Sequence, residues 1–113
     1  MSIYYIGVFD NISITNYSAN CCAMTTVTNS KEGWSRNIQL KNIRLCYNDK
    51  KIPHTPKTMN ARGDKILYFG NTAAITLSDF AIDISRLNRK LWNPDPVVIE
   101  NCPELEGTIK VIE

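Results

Sequence analysis

The sequence predicts a mainly β protein, an antiparallel β-sandwich or small barrel of about eight strands with one helix near residues 79–91. Short apolar segments with an alternating pattern recur along the chain, and turn-forming residues separate them roughly every ten positions. The chain has 113 residues, of which 43% are hydrophobic. That is enough for one hydrophobic core, so we expect a single globular domain over 1–113.

The segment 65–77, KILYFGNTAAITL, is predicted to form a β-hairpin closed by Gly70-Asn71. A Gly-Asn pair readily adopts the positive φ angles of a two-residue hairpin turn. Apolar side chains occupy both faces of this predicted hairpin. We therefore expect it to lie inside a sheet that is covered on both sides.

Further strands are predicted before and after this hairpin. They cover residues 2–9, 12–15, 22–29, 38–47, 97–99 and 108–112. In the strand 38–47, apolar residues occupy the even-numbered positions as far as Leu40 and the odd-numbered positions from Ile43 onward. A one-residue phase shift is typical of a β-bulge, which we expect near Lys41-Asn42. The alternative is a strand with one polar residue facing inward.

Residues 79–91 are predicted to form the helix. Ser78 precedes them as an N-cap. The apolar residues that recur there at helical spacing are Phe80, Ile84, Leu87 and Leu91. A competing interpretation continues the preceding strand through residues 80–84.

The cysteines predict free thiols in a reducing compartment. The N-terminal MSIYYIGVFDN lacks the features of a signal peptide, and no window of about 18 apolar residues could span a bilayer. We therefore expect a cytoplasmic protein that does not associate with membranes. Cys21, Cys22, Cys46 and Cys102 contain no CxxC spacing, so a zinc site is disfavoured. We expect no metal and no cofactor.

Few side chains could form an active site. His54 is the single histidine. If residues 48–51 form a turn, His54 lies on the opposite face of the sheet from Cys46, and a nucleophile pair does not assemble. A loop one residue shorter would bring the two together, which leaves that pair as an alternative. Because no phosphate-binding glycine pattern occurs either, we expect no catalytic residues and a non-enzymatic protein.

The distribution of charge suggests a binding function. Residues 31–65 contain nine basic and three acidic residues, a net charge of +6, whereas residues 93–113 contain one basic and five acidic residues, a net charge of −4. We expect a protein-binding module, by analogy of size and fold an inhibitor or immunity-type protein that occludes the active site of a toxin or enzyme. The alternative is a small nucleic-acid-binding β-barrel that uses the basic 31–65 region.

The predicted contact residues lie mainly in the loop after the strand 38–47. They are Trp34, Arg44, Lys50, Lys51, His54, Lys57 and Arg62. Arginine and tryptophan dominate the binding energy of many interfaces, so Trp34 and Trp92 are of interest if they are exposed. For both tryptophans, packing in or near the core is the favoured expectation.

Overall fold

The computed structural model describes residues 2–5, 10–21, 25–29, 36–48 and 65–113. These residues form nine strands and one short 3-10 helix, which confirms the mainly β prediction. The strands are β1 (Ser2–Tyr5), β2 (Asp10–Cys21), β3 (Thr25–Asn29), β4 (Arg36–Asn48), β5 (Leu67–Gly70), β6 (Ala74–Arg86), β7 (Val97–Glu100), β8 (Glu104–Glu106) and β9 (Ile109–Ile112), and the 3-10 helix is Arg89–Leu91. Within these ranges no helix is long and apolar enough to cross a membrane.

The strands form two parallel sheets. One sheet has the order β1-β3-β5-β7, and the other has the order β2-β4-β6-β8, with β9 also paired to β6. Each pass of the chain adds one strand to the first sheet and then one or two to the second, as in a β-solenoid. We call each such pass a rung, so that β7, β8 and β9 form the last rung. The predicted antiparallel sandwich or barrel is therefore corrected to two parallel sheets.

The Gly70-Asn71 pair does not close a hairpin. β5 pairs with β3 and β7, whereas β6 lies in the other sheet, so the pair connects one sheet to the other. Asn71 has the predicted positive φ, 51°, whereas Gly70 does not. Residues 66–70 are all buried, as expected for a strand covered on both sides. The continuous apolar run therefore marks an interior strand of a parallel sheet.

The predicted helix over 79–91 is also wrong. Most of that segment is the second half of β6, and this half pairs with β4 and β9. Asp79 has a φ of 51°, which turns the backbone. As a result, the side chains that face the core are on odd-numbered residues before Asp79 and on even-numbered residues after it. Phe80, Ile82 and Ile84 are all buried, as alternate residues of a strand, and the four-residue separation of Phe80 and Ile84 also fits a helix. The competing interpretation of a strand through 80–84 is correct.

The phase shift predicted in the strand 38–47 is present, but a bulge does not produce it. Leu40 and Ile43 are both buried, and Asn42 between them has a φ of 54°. The pairing of β4 with β2 continues through this point without a shift in register, because Asn16 turns at the same level with a φ of 59°. The register shift of β4 lies further on, against β6 between Cys46 and Asn48.

Asparagine occupies most of the positions where the backbone turns with positive φ. Within the described ranges, all non-glycine residues with positive φ are Asn or Asp: Asn11, Asn16, Asn37, Asn42, Asn71, Asp79 and Asn101. These two residue types tolerate the left-handed conformation best because their short polar side chains can hydrogen-bond locally. Asparagines of neighbouring rungs also bond to each other: Asn42 Nδ2 donates to Asn16 Oδ1 at 2.8 Å, and Asn101 Nδ2 donates to Asn71 Oδ1 at 2.9 Å.

The hydrophobic core lies between the two sheets. Phe69 of the first sheet meets Phe80 of the second in an edge-to-face contact, with ring centroids 6.2 Å apart. Trp92 is 4% exposed, which confirms the expectation of core packing for this tryptophan. Cys21 is buried, Cys46 and Cys102 are half-buried, and all three are free thiols. Burial of each large apolar side chain contributes about 1.5–3 kcal/mol relative to exposure.

Candidate binding face

Outward-facing side chains form straight rows across the second sheet. Parallel strands in register place residues of the same level side by side, roughly 4.8 Å apart. One row consists of Ser18, Arg44, Ala81 and Lys110 and is called the Arg44 row below. The next row consists of Asn20, Cys46, Asp83 and Ile112. Because the strands are hydrogen-bonded to one another, the lateral spacing within each row is set by the backbone.

A cleft of about 350 Å³ opens in the Arg44 row. Ala81 lies between Arg44 and Lys110, and its methyl group is much shorter than the side chains on either side. The two cationic side chains leave the sheet two strands apart, a separation of roughly 10 Å. The cleft is also lined by Asp79, Phe80, Thr108 and Ile112. It has room for an anionic group between the two cations.

A second cleft of about 300 Å³ lies on the other side of Arg44. Its lining is more polar and includes Asn20, Cys46, Asp83, Ser85 and Arg86. Arg44 lines both clefts, so its side chain is accessible from either. This arrangement makes Arg44 the centre of the outward face.

Arg44 is held loosely by one acidic neighbour. Its Nη2 atom lies 3.8 Å from Asp83 Oδ2, and the Arg44 side chain is 55% exposed. Asp83 Oδ1 accepts hydrogen bonds from the Ser85 hydroxyl at 2.6 Å and the Ser85 backbone N–H at 3.0 Å. These bonds, and to a smaller extent the charges of Arg44 and Arg86, lower the pKa of Asp83. Exposed ion pairs contribute little energy, so Arg44 can exchange this contact for a better one.

Of the seven predicted contact residues, only Arg44 falls within the described ranges. It lies on the exposed side of β4, within the candidate binding face. The remaining six lie outside the described ranges: Trp34, Lys50, Lys51, His54, Lys57 and Arg62. The proposed Cys46–His54 arrangement therefore also falls outside the described ranges, although Cys46 itself lines the second cleft.

The partners of Arg44 on this face could not be recognised from the sequence. Ala81, Asp83 and Lys110 come from β6 and β9, far from Arg44 along the chain. Alternation predicts that Arg44 faces outward, but alternation within one strand does not say which strand lies beside it. The asparagines that turn the backbone at the same level, Asn16 and Asn42, were the one available signal for aligning the strands.

The remaining groups to locate are clusters of metal-ligating side chains and the thiol of Cys102, which lies outside both clefts. The part of the chain described above contains no group of three or more His, Cys, Asp or Glu side chains that could hold a metal ion. Burial raises the pKa of the Cys102 thiol, and a hydrogen bond with the Thr72 backbone only partly offsets this, so Cys102 stays protonated at neutral pH.

Comparisons with known proteins assign no family. No protein-family model, curated protein or solved structure matches this chain.

Proposed function

We propose that the protein is a non-enzymatic protein-binding module that contacts its partner through the outward face of β2, β4, β6 and β9. The observation that carries this proposal is the position of Arg44, whose exposed guanidinium group lines two adjoining clefts. Arginine is enriched among the residues that dominate interface energy, because it offers several donors in a planar group.

The backbone of the face supports this use. β4 and β6 are each hydrogen-bonded to strands on both sides, so Arg44 projects from the rigid middle of a sheet. A rigid surface loses little conformational entropy on binding, which favours affinity. The partner side chain that fits best is a carboxylate, which would accept hydrogen bonds from Arg44 and lie near Lys110.

A protein partner fits the charge pattern of the face better than a nucleic acid does. Asp79 and Asp83 lie among the cations of the two clefts. A phosphodiester backbone presents a continuous line of negative charge and would meet these carboxylates. A partner protein can place one carboxylate between Arg44 and Lys110, and it can present neutral groups to Asp79 and Asp83.

The test begins with a pull-down from a native lysate, with and without nuclease, followed by measurement of affinity for the captured partner. Arg44→Ala is expected to weaken binding by roughly tenfold or more. Ala81→Gln fills the cleft between the cations without altering the core and should have a similar effect. Lys41→Ala is the matched control, because Lys41 is exposed on the same strand but lines neither cleft.

Two results would contradict the proposal. One is equal affinity of the wild type, Arg44→Ala and Ala81→Gln for the captured protein. The other is recovery of nucleic acid alone that disappears on nuclease treatment, which would favour the nucleic-acid-binding alternative. If the partner is an enzyme, inhibition of its activity by the wild type and not by Arg44→Ala would extend the proposal to an inhibitor.

A further inference from the structure

The last rung has unpaired strand edges within the described ranges. There, β7 pairs only with β5, and β8 and β9 pair only with β6. Backbone N–H and C=O groups on the far side of β8 and β9 therefore have no strand partner in that part of the chain. Such an edge is a template for the addition of a further strand.

The inward side chains of the last rung are incompletely covered. Ile109 pairs with Phe80, and Val111 pairs with Ile82, so both continue inward-facing rows of the core. Phe80 and Ile82 are 2% and 0% exposed, whereas Ile109 and Val111 are only partly buried. A strand added beside β9 would bury the remaining apolar surface of these two residues.

The β8 part of this edge is also acidic, whereas β9 carries the exposed Lys110. Glu104 and Glu106 are exposed on either side of Leu105 in β8, and Glu100 is exposed at the end of β7. Within the described ranges, neither Glu104 nor Glu106 forms an ion pair. A strand that adds to β8 would be stabilised by basic side chains opposite these glutamates, because opposite charges attract across neighbouring strands.

A second copy of the chain does not supply this charge. Among the residues of β2 whose side chains are described, 11–21, the outward ones are uncharged: Ser13, Thr15, Ser18 and Asn20. Head-to-tail stacking of copies would therefore bring no cation to Glu104 or Glu106. Pairing of two last rungs with each other would bring glutamates close to glutamates, which is unfavourable.

We propose that the β8–β9 edge binds an extended basic segment of a partner protein, which adds to the second sheet as a further strand. Apolar side chains at every second position of this segment would cover Leu105, Ile109 and Val111. Lysine or arginine between them would face Glu104 and Glu106. This mode of recognition combines backbone hydrogen bonds, which provide affinity, with alternate side chains, which provide specificity. The proposal does not depend on Arg44.

The experiment uses the full chain and a short fluorescein-labelled peptide of alternating lysine and valine. Fluorescence anisotropy is expected to show binding, and hydrogen exchange should show added protection of the amides in residues 104–106 and 109–112. A peptide with alternate backbone nitrogens methylated keeps the charge but loses hydrogen-bond donors. It should bind roughly tenfold more weakly. A glutamate-valine peptide should bind more weakly still.

Variants of the protein test the charge. Glu104→Gln and Glu106→Gln should each weaken binding of the lysine-valine peptide by roughly twofold to fivefold. Asp95→Asn is the matched control, because Asp95 is exposed and acidic but lies outside the strands, and it should leave the affinity unchanged.

Three results would overturn the proposal. The first is equal affinity for the methylated and unmethylated peptides, which would indicate attraction by charge without strand addition. The second is an absence of added protection at β8 and β9. The third is a dimer in sedimentation experiments whose β8 and β9 amides are protected without peptide, which would show that a second copy occupies the edge.

Discussion

The middle strands β4 and β6 and the last rung are built from similar residues but differ in how completely they are paired. β4 and β6 have hydrogen-bonded strands on both sides, and Leu45 and Ile82 on them are 0% exposed. β9 is paired on one side within the described ranges, and its inward Val111 is only partly buried. The middle strands therefore hold the molecule together, while the last rung retains surface that a partner can bury.

The largest expected effect is on stability, and it is tested by replacing isoleucine with alanine in a middle strand and in the last rung. The two isoleucines belong to the same inward-facing row of the second sheet. Ile43 is 1% exposed on β4, and Ile109 is partly buried on β9. Ile43→Ala should lower the free energy of unfolding by about 2–5 kcal/mol, as for other fully buried positions. Ile109→Ala should cost about 1 kcal/mol or less, because the site is already partly open to water. Urea unfolding measures both, and equal losses would contradict the comparison.

The next effect concerns the turn at Gly107, between β8 and β9. Gly107 has a φ of 100°, and a Cβ atom there would collide with the carbonyl oxygen of Leu77. Gly107→Ala should lower the free energy of unfolding by about 1–3 kcal/mol through backbone strain and this contact. Thr108→Ala, at the neighbouring exposed position, is the control and should change stability little. A loss for Gly107→Ala no larger than for the control would show that the last rung shifts to accommodate the side chain.

The smallest effect concerns the turn of the backbone at Asn42, in the middle of β4. Asn42 has a φ of 54° and donates to Asn16. Asn42→Gly keeps the backbone conformation and loses the hydrogen bond, so it should lower the free energy of unfolding by about 0.5–1.5 kcal/mol. Asn16→Gly removes the same bond from the other side.

A double-mutant cycle on these two positions isolates the bond. The variant with both substitutions should cost less than the sum of the single variants, because they share one interaction. Additive losses would mean that the hydrogen bond between Asn16 and Asn42 contributes nothing measurable to the free energy of unfolding.

The sequence determined the local properties of the strands. Alternation of apolar residues predicts a mainly β protein, the phase change between Leu40 and Ile43, and the burial of residues 66–70. These features depend on a residue and its near neighbours along one strand, so they can be inferred without knowing which strands are adjacent.

The tertiary structure decided the direction and order of the strands. The residue types of Gly70-Asn71 are compatible with a hairpin turn and with a passage from one sheet to the other, and the pairing of β5 with β3 and β7 shows that the chain makes the passage. Phe80 and Ile84 are four residues apart, a separation that fits both a strand and a helix, and the pairing of β6 with β4 shows that the segment is a strand.

The arrangement of the candidate binding face could not be predicted from the sequence for the same reason. Successive rungs differ in length: Ile12 pairs with Ile38, 26 residues on, and Ile38 pairs with Ile75, 37 residues on. No fixed repeat in the sequence therefore aligns Arg44 with Ala81 and Lys110. Alternation predicts that Arg44 points outward, but the clefts beside it exist because hydrogen bonds between distant strands bring these side chains into one row.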